Sequence, residues 1–146
     1  MLYRFRTLVL LLPLLAILIS PSAIADAGDV VKIDAKGSAA ETVEKLKKLI
    51  AEQRFKIFSV HDHGDTKSVK QVITFGSTSH SARIMWHNPA AGLELPLKMA
   101  VFQDDVGTRV IYRKPTSLRN TYSVENCGLL DELDEVMAAL AQKAAQ

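Results

Sequence analysis

An α+β fold, an antiparallel β-sheet with helices packed on one face in the order β-α-β(4)-α, is what the sequence predicts. Three features carry that reading. Short segments rich in β-branched and aromatic residues are interleaved with stretches of helical period. Two of the strand-like segments, 97–104 and 108–114, are separated only by the turn Asp104-Asp105-Val106-Gly107. A connection that short joins only antiparallel neighbours. At the end of the chain Leu129, Leu130, Leu133, Val136, Met137, Leu140 and Ala144 form one apolar helical face, which needs a sheet or helix to cover it.

The first 25 residues stand apart from that fold. Arg4 and Arg6 precede an apolar run over 7–19, and Ala23-Ile24-Ala25 supplies the small-x-small pattern of a cleavage site. The run falls short of the roughly 20 apolar residues of a membrane span. We read 1–25 as a signal peptide cut after Ala25. The remainder, 26–146, is then a single domain, periplasmic or secreted, with no transmembrane segment. Residues 1–25 hold two of the eighteen basic residues and none of the sixteen acidic ones, so the mature chain is formally neutral. That balance argues against a nucleic-acid partner, which needs clustered positive charge. Lys45, Lys47 and Lys48 read as a solvated helix face. Cys127 is the one cysteine, so no internal disulfide forms and the core must supply stability. A buried thiol at a helix start is the simplest reading of it; intermolecular pairing and redox chemistry are the alternatives.

Along the chain, residues 29–34 alternate as a short strand. Ser38-Ala39-Ala40-Glu41 is a capping box, and Val43, Leu46, Leu49 and Ile50 follow at helical spacing, so a helix spans 39–53. Residues 54–61 and 69–76 read as strands around a turn at 62–65. Residues 77–88 read as a short helix with Ala82, Met85 and Trp86 facing inward, ended by Asn88-Pro89. Residues 97–104 and 108–114 form the hairpin, and 115–122 is a loop or single helical turn. Asp131, Asp134 and Glu135 are expected on the solvent face of the last helix, its early acids complementing the helix dipole.

Candidate chemistry concentrates in the middle of the chain. His61, His63, His80 and His87 are all the histidines present. His61 and His63 share one face of an extended strand. His80 and His87 share a stripe of a helix. Imidazole suits copper or zinc, with Met85 as a soft neighbour and Asp62 or Asp65 as an orienting carboxylate. His61, His63 and His87 are the candidate metal ligands. In Asn88–Leu97 the leucines Leu93, Leu95 and Leu97 alternate, and Pro96 marks a strand start or an edge. A pocket rim follows, with Trp86, His87, Asn88 and Glu94 at its mouth, His63 nearby and a hydroxyl from Tyr112 on the paired strand. No phosphate-binding glycine loop, nucleophile elbow or Cys-x-x-Cys pair is present, so no catalytic residue is assigned.

Asp62-His63, Phe75-Gly76, Asn88-Pro89, the run Leu93-Glu94-Leu95-Pro96-Leu97-Lys98, Gly107, Tyr112 and Pro115 together resemble domain-of-unknown-function family 302, across roughly residues 40 to 140. The resemblance implies a TATA-binding-protein-like architecture and brings no activity with it. The functional expectation is an exported small-ligand-binding or accessory protein, its ligand held between the sheet and segment 77–98. One alternative is a histidine-based metal-binding protein of the cell envelope. Another is an interaction module that forms a homodimer, or binds an envelope protein, through a sheet edge or Cys127.

Overall fold

A computed structural model describes residues 28–64 and 69–146. Residues 1–25, read above as a signal peptide, and Asp65 lie outside the described residues. Five strands form one sheet: β1 (Val30–Ala35), β2 (Lys56–Asp62), β3 (Val69–Gly76), β4 (Leu97–Gln103) and β5 (Thr108–Arg113). Every pairing is antiparallel, and the order across the sheet is β1-β5-β4-β3-β2. The predicted α+β class and element order hold. Among the described residues four α-helices accompany the sheet: α1 (Ala39–Glu52) and α2 (Thr78–His87) between strands, and α3 (Leu118–Tyr122) and α4 (Leu129–Ala144) after the last one.

Local chemistry sets the elements. The Ser38 hydroxyl accepts from the Glu41 amide at 3.3 Å, and the Glu41 carboxylate accepts from the Ser38 amide at 2.9 Å. Both directions of the capping box are made, satisfying donors that a helix start leaves open. At the other end Arg54 adopts φ +60°, which closes α1 and delays β2 to Lys56. In the hairpin the Asp104 carboxylate accepts from the amides of Val106 at 3.0 Å and Gly107 at 3.2 Å and pairs with Arg109. Gly107 sits at φ +147°, a conformation side chains disfavour.

Alternation along the strands turns Ile73, Phe75, Met99, Val101, Val110 and Tyr112 to one face. The register lines up Ile73, Met99 and Tyr112 across three strands. Leu46 and Ile50 of α1 and Met137, Leu140 and Ala144 of α4 close over them to form the main core. A second cluster sits at the sheet end where β3 and β5 finish. It packs Ile84 of α2 with Ala91, Leu118, Val124, Cys127 and the start of α4. Cys127 is 4% exposed. No helix among the described residues is long and apolar enough to cross a membrane.

β2 contains a bulge: Ile57 faces Phe75 and Ser59 faces Thr74, leaving Phe58 as the extra residue. Two expectations are corrected. The inward side of α2 is not Ala82, Met85 and Trp86. Ile84 is its buried residue, flanked by half-buried His80 and Ser81, and the His80 ring meets Phe55 edge-on at 5.8 Å. Asp134 does not face solvent; its carboxylate accepts from the Thr116 amide at 3.1 Å and from the Thr116 hydroxyl at 2.5 Å, tying α4 to the chain after β5.

Leu46 is fully buried between α1 and the sheet. Leu46→Ala is expected to cost about 2–5 kcal/mol, while Ser38→Ala, which loses only the cap, costs about 1 kcal/mol. Equilibrium urea denaturation of the two variants checks both the values and their order.

Candidate functional site

Between α2 and β4 the chain must leave a helix and enter a central strand within a few residues. It does so as a 3-10 helix, Pro89–Glu94. Asn88 starts it: its side-chain carbonyl accepts from the Ala90 amide at 2.9 Å. The side-chain amide of Asn88 donates to the carbonyl oxygen of Tyr122 at 2.7 Å. At the far end the Tyr122 hydroxyl donates to the Glu94 carboxylate at 3.0 Å. One residue of α3 therefore straps both ends of the segment. Lys98 adds a bond from its ammonium to the Glu94 carbonyl at 3.0 Å, and the Leu95–Pro96 peptide that follows is cis.

This strapped segment forms one wall of an open hollow of about 560 Å³, within the roughly 300–1,000 Å³ range of small-molecule sites. The bulge supplies the floor, because it turns Phe58 and Ser59 to the same side as Thr74. Phe58 is 46% exposed there. The Ser59 and Thr74 hydroxyls lie 2.5 Å apart, and Ser59 also bonds the His61 ring at 2.9 Å. The opposite wall is α2, where Thr78, Ser81 and Met85 fall on one stripe. Gly92, Leu95 and Pro96 complete the lining. A Cβ on Gly92 would lie 3.1 Å from the Met85 methyl and 3.2 Å from its sulfur, so the glycine lets the thioether pack against the 3-10 helix. Every lining residue is uncharged. The chemistry on offer is apolar contact with a few hydroxyls.

The hollow lies between the sheet and segment 77–98, but the side chains chosen from sequence do not line it. Trp86 is 88% exposed and sits with Arg83 and His87 on the outer side of α2. Tyr112, 6% exposed, faces the main core because the alternation of β5 puts it beside Val110. Asn88 and Glu94 belong to the strap. His63 is exposed at the end of β2, its ring 6.2 Å from that of His61 in a stacked pair. His87 is on α2, away from that pair in the chain's connectivity, and among the described residues no three histidine, cysteine or carboxylate side chains gather in a cluster able to hold a metal ion. The actual lining was missed because the bulge leaves no mark in the sequence. The one available signal was the Thr78, Ser81, Met85 stripe on the side of α2 opposite its charged and aromatic residues.

Burial raises the pKa of Tyr112, with Asp134 adding to it. The hydrogen bond to Glu94 raises that of Tyr122, with burial and the Glu94 charge acting the same way. Asp62 is lowered by the Gly64 amide and the Gln71 side chain that bond it.

Fold and site together define an α+β protein built on one five-stranded antiparallel sheet, with a ligand-sized hollow at one end. The family model described as "Domain of unknown function DUF302" matches residues 31–145, and the chain belongs to this family. Among solved structures, the chain is similar to the crystal structure of an uncharacterized conserved DUF302 protein from Bacillus stearothermophilus. That match has a TM-score of 0.66 at 19% identity and covers 80% of this chain and 98% of the other. At that identity the likeness shows the fold alone. No curated protein matches the chain.

From residue 26 onward the only tyrosines are Tyr112 and Tyr122, and both titrate above the ordinary phenol value of 10.0. Ultraviolet absorbance of the chain lacking residues 1–25 is therefore expected to show less phenolate at the ordinary midpoint than the unfolded chain does. A raised folded pKa stabilises the protein fully below the unfolded value and loses that contribution as pH climbs through the folded one. Tyr122→Phe is expected to remove one titration step and flatten the alkaline loss of stability.

Proposed function

We propose that this protein is an exported binding protein whose hollow takes a small, uncharged, largely apolar ligand. The observation that carries the reading is the lining: Phe58, Met85, Leu95 and Pro96 offer apolar surface, four hydroxyls offer orientation, and no charged side chain is present. A charged ligand would be desolvated there without a partner, which is costly, whereas an apolar one gains by leaving water. Export rests on the basic, apolar and small-x-small order of residues 1–25. A binding role in the periplasm or outside the cell follows from the two together.

A second reading is favoured by one observation. β2 is an edge strand of the sheet, and it exposes Phe58 and Val60. Exposed apolar edges pair with other strands unless blocked, so a second copy or an envelope protein joined along β2 is the alternative use of the same region. An occupied hollow and a paired β2 compete for Phe58, and ligand binding to a monomer separates them.

The test uses the neutral dye N-phenyl-1-naphthylamine. Its fluorescence is expected to rise saturably with the wild-type protein. Ser81→Trp, which puts an indole into the hollow, should weaken binding by roughly tenfold or more. Trp86→Ala, on the outer side of α2, should leave it unchanged. Dye binding that survives Ser81→Trp but falls with Trp86→Ala contradicts the proposal.

A further inference from the structure

A second, smaller cleft opens on the other side of Leu95. It holds about 80 Å³, and its walls come from the start of β4, the end of β5, the turn at Pro115–Ser117 and α4. Leu95 lines both this cleft and the hollow. The chemistry differs. Three cations stand around the cleft, Lys98, Arg113 and Lys114, against one acid, Glu94. Lys98 lies opposite Arg113, one step beyond the Met99–Tyr112 pair of the hairpin ladder.

None of these cations is neutralised by a close ion pair among the described residues. The Lys98 ammonium donates to a backbone carbonyl, that of Glu94. The nearest approach of Arg113 to the Glu94 carboxylate is 3.9 Å, beyond the roughly 2.7–3.2 Å of a hydrogen bond. The Glu94 oxygen concerned is the one that already accepts from Tyr122. Ser117 also lines the cleft. It is 3% exposed, and its hydroxyl is buried without a hydrogen-bond partner. A buried hydroxyl left without a partner is costly, and Thr116 in the same turn does find one.

The geometry points to a small-oxyanion site: a phosphate- or sulfate-sized anion held by Arg113 and Lys98 and accepting from the Ser117 hydroxyl. Size selects the class, since 80 Å³ is well below the roughly 300 Å³ where drug-sized ligands begin. Charge selects the sign, because an oxyanion accepts from guanidinium, ammonium and hydroxyl donors at once. Leu97, Leu118 and Met137 form the apolar floor, which lowers the local polarity and strengthens each of those bonds. The site is distinct from the apolar hollow and does not depend on it.

The experiment is isothermal titration calorimetry of the chain lacking residues 1–25 with inorganic phosphate, in chloride buffer at constant ionic strength. Saturable binding is expected, with sulfate competing. Arg113→Gln and Lys98→Gln should each weaken it roughly tenfold, and Ser117→Ala by less. Circular dichroism confirms that the two exposed-residue variants fold. Glycerol phosphate binding as tightly as phosphate would show that the site reads a terminal phosphoryl group; binding of phosphate alone would show a free ion. Both support an oxyanion site. No saturable heat, or binding that neither Arg113→Gln nor Lys98→Gln weakens, overturns it.

Discussion

Tyr122 holds together the end of this molecule that carries the hollow. Its carbonyl oxygen receives the side-chain amide of Asn88, and its hydroxyl reaches the carboxylate of Glu94. Those two residues bracket a 3-10 helix that would otherwise be a short loop between a helix and a central strand. Short 3-10 segments have poorer hydrogen-bond geometry than α-helices, so the segment draws its definition from being tied at both ends. Ala91, fully buried beneath it, anchors its middle in the second apolar cluster.

The position of Leu95 follows from that strap, and both concave features follow from Leu95. On one side its wall belongs to an uncharged hollow floored by the β2 bulge; on the other it belongs to a narrow cleft ringed by Lys98, Arg113 and Lys114. Apolar and cationic environments therefore lie within one residue of each other, yet they remain chemically separate. The division falls at Leu95, beyond which Leu97 and Lys98 both line the cleft and neither reaches the hollow.

The fold was legible where a local signal was strong. The Ser38–Glu41 box, the strand 69–76 and the apolar face of α4 each combine period with a cap or a turn, and each appears in the structure. The order of strands in the sheet was not legible, because nothing local says that β1 joins β5. α2 was misread for a physical reason. A helix pinned over the sheet end by Ile84 needs little apolar surface, so its inward side carries His80 and Ser81 while Trp86 points to water. The same habit separates the sequence's candidates from the lining of the hollow. Asn88, Glu94 and Tyr112 look like binding groups by type, but the first two are spent on the strap and the third on the core. Ser59, Thr74, Thr78 and Ser81 look like filler and line the hollow.

The central claim is that the hollow has a natural occupant, small and uncharged. Native mass spectrometry of protein purified gently from its own cells, without chelator, addresses it directly when wild type and Ser81→Trp are run side by side. The account predicts an organic mass adduct on the wild type that is absent from the variant. A bare wild-type chain, or an adduct whose mass is that of a metal ion alone, contradicts it.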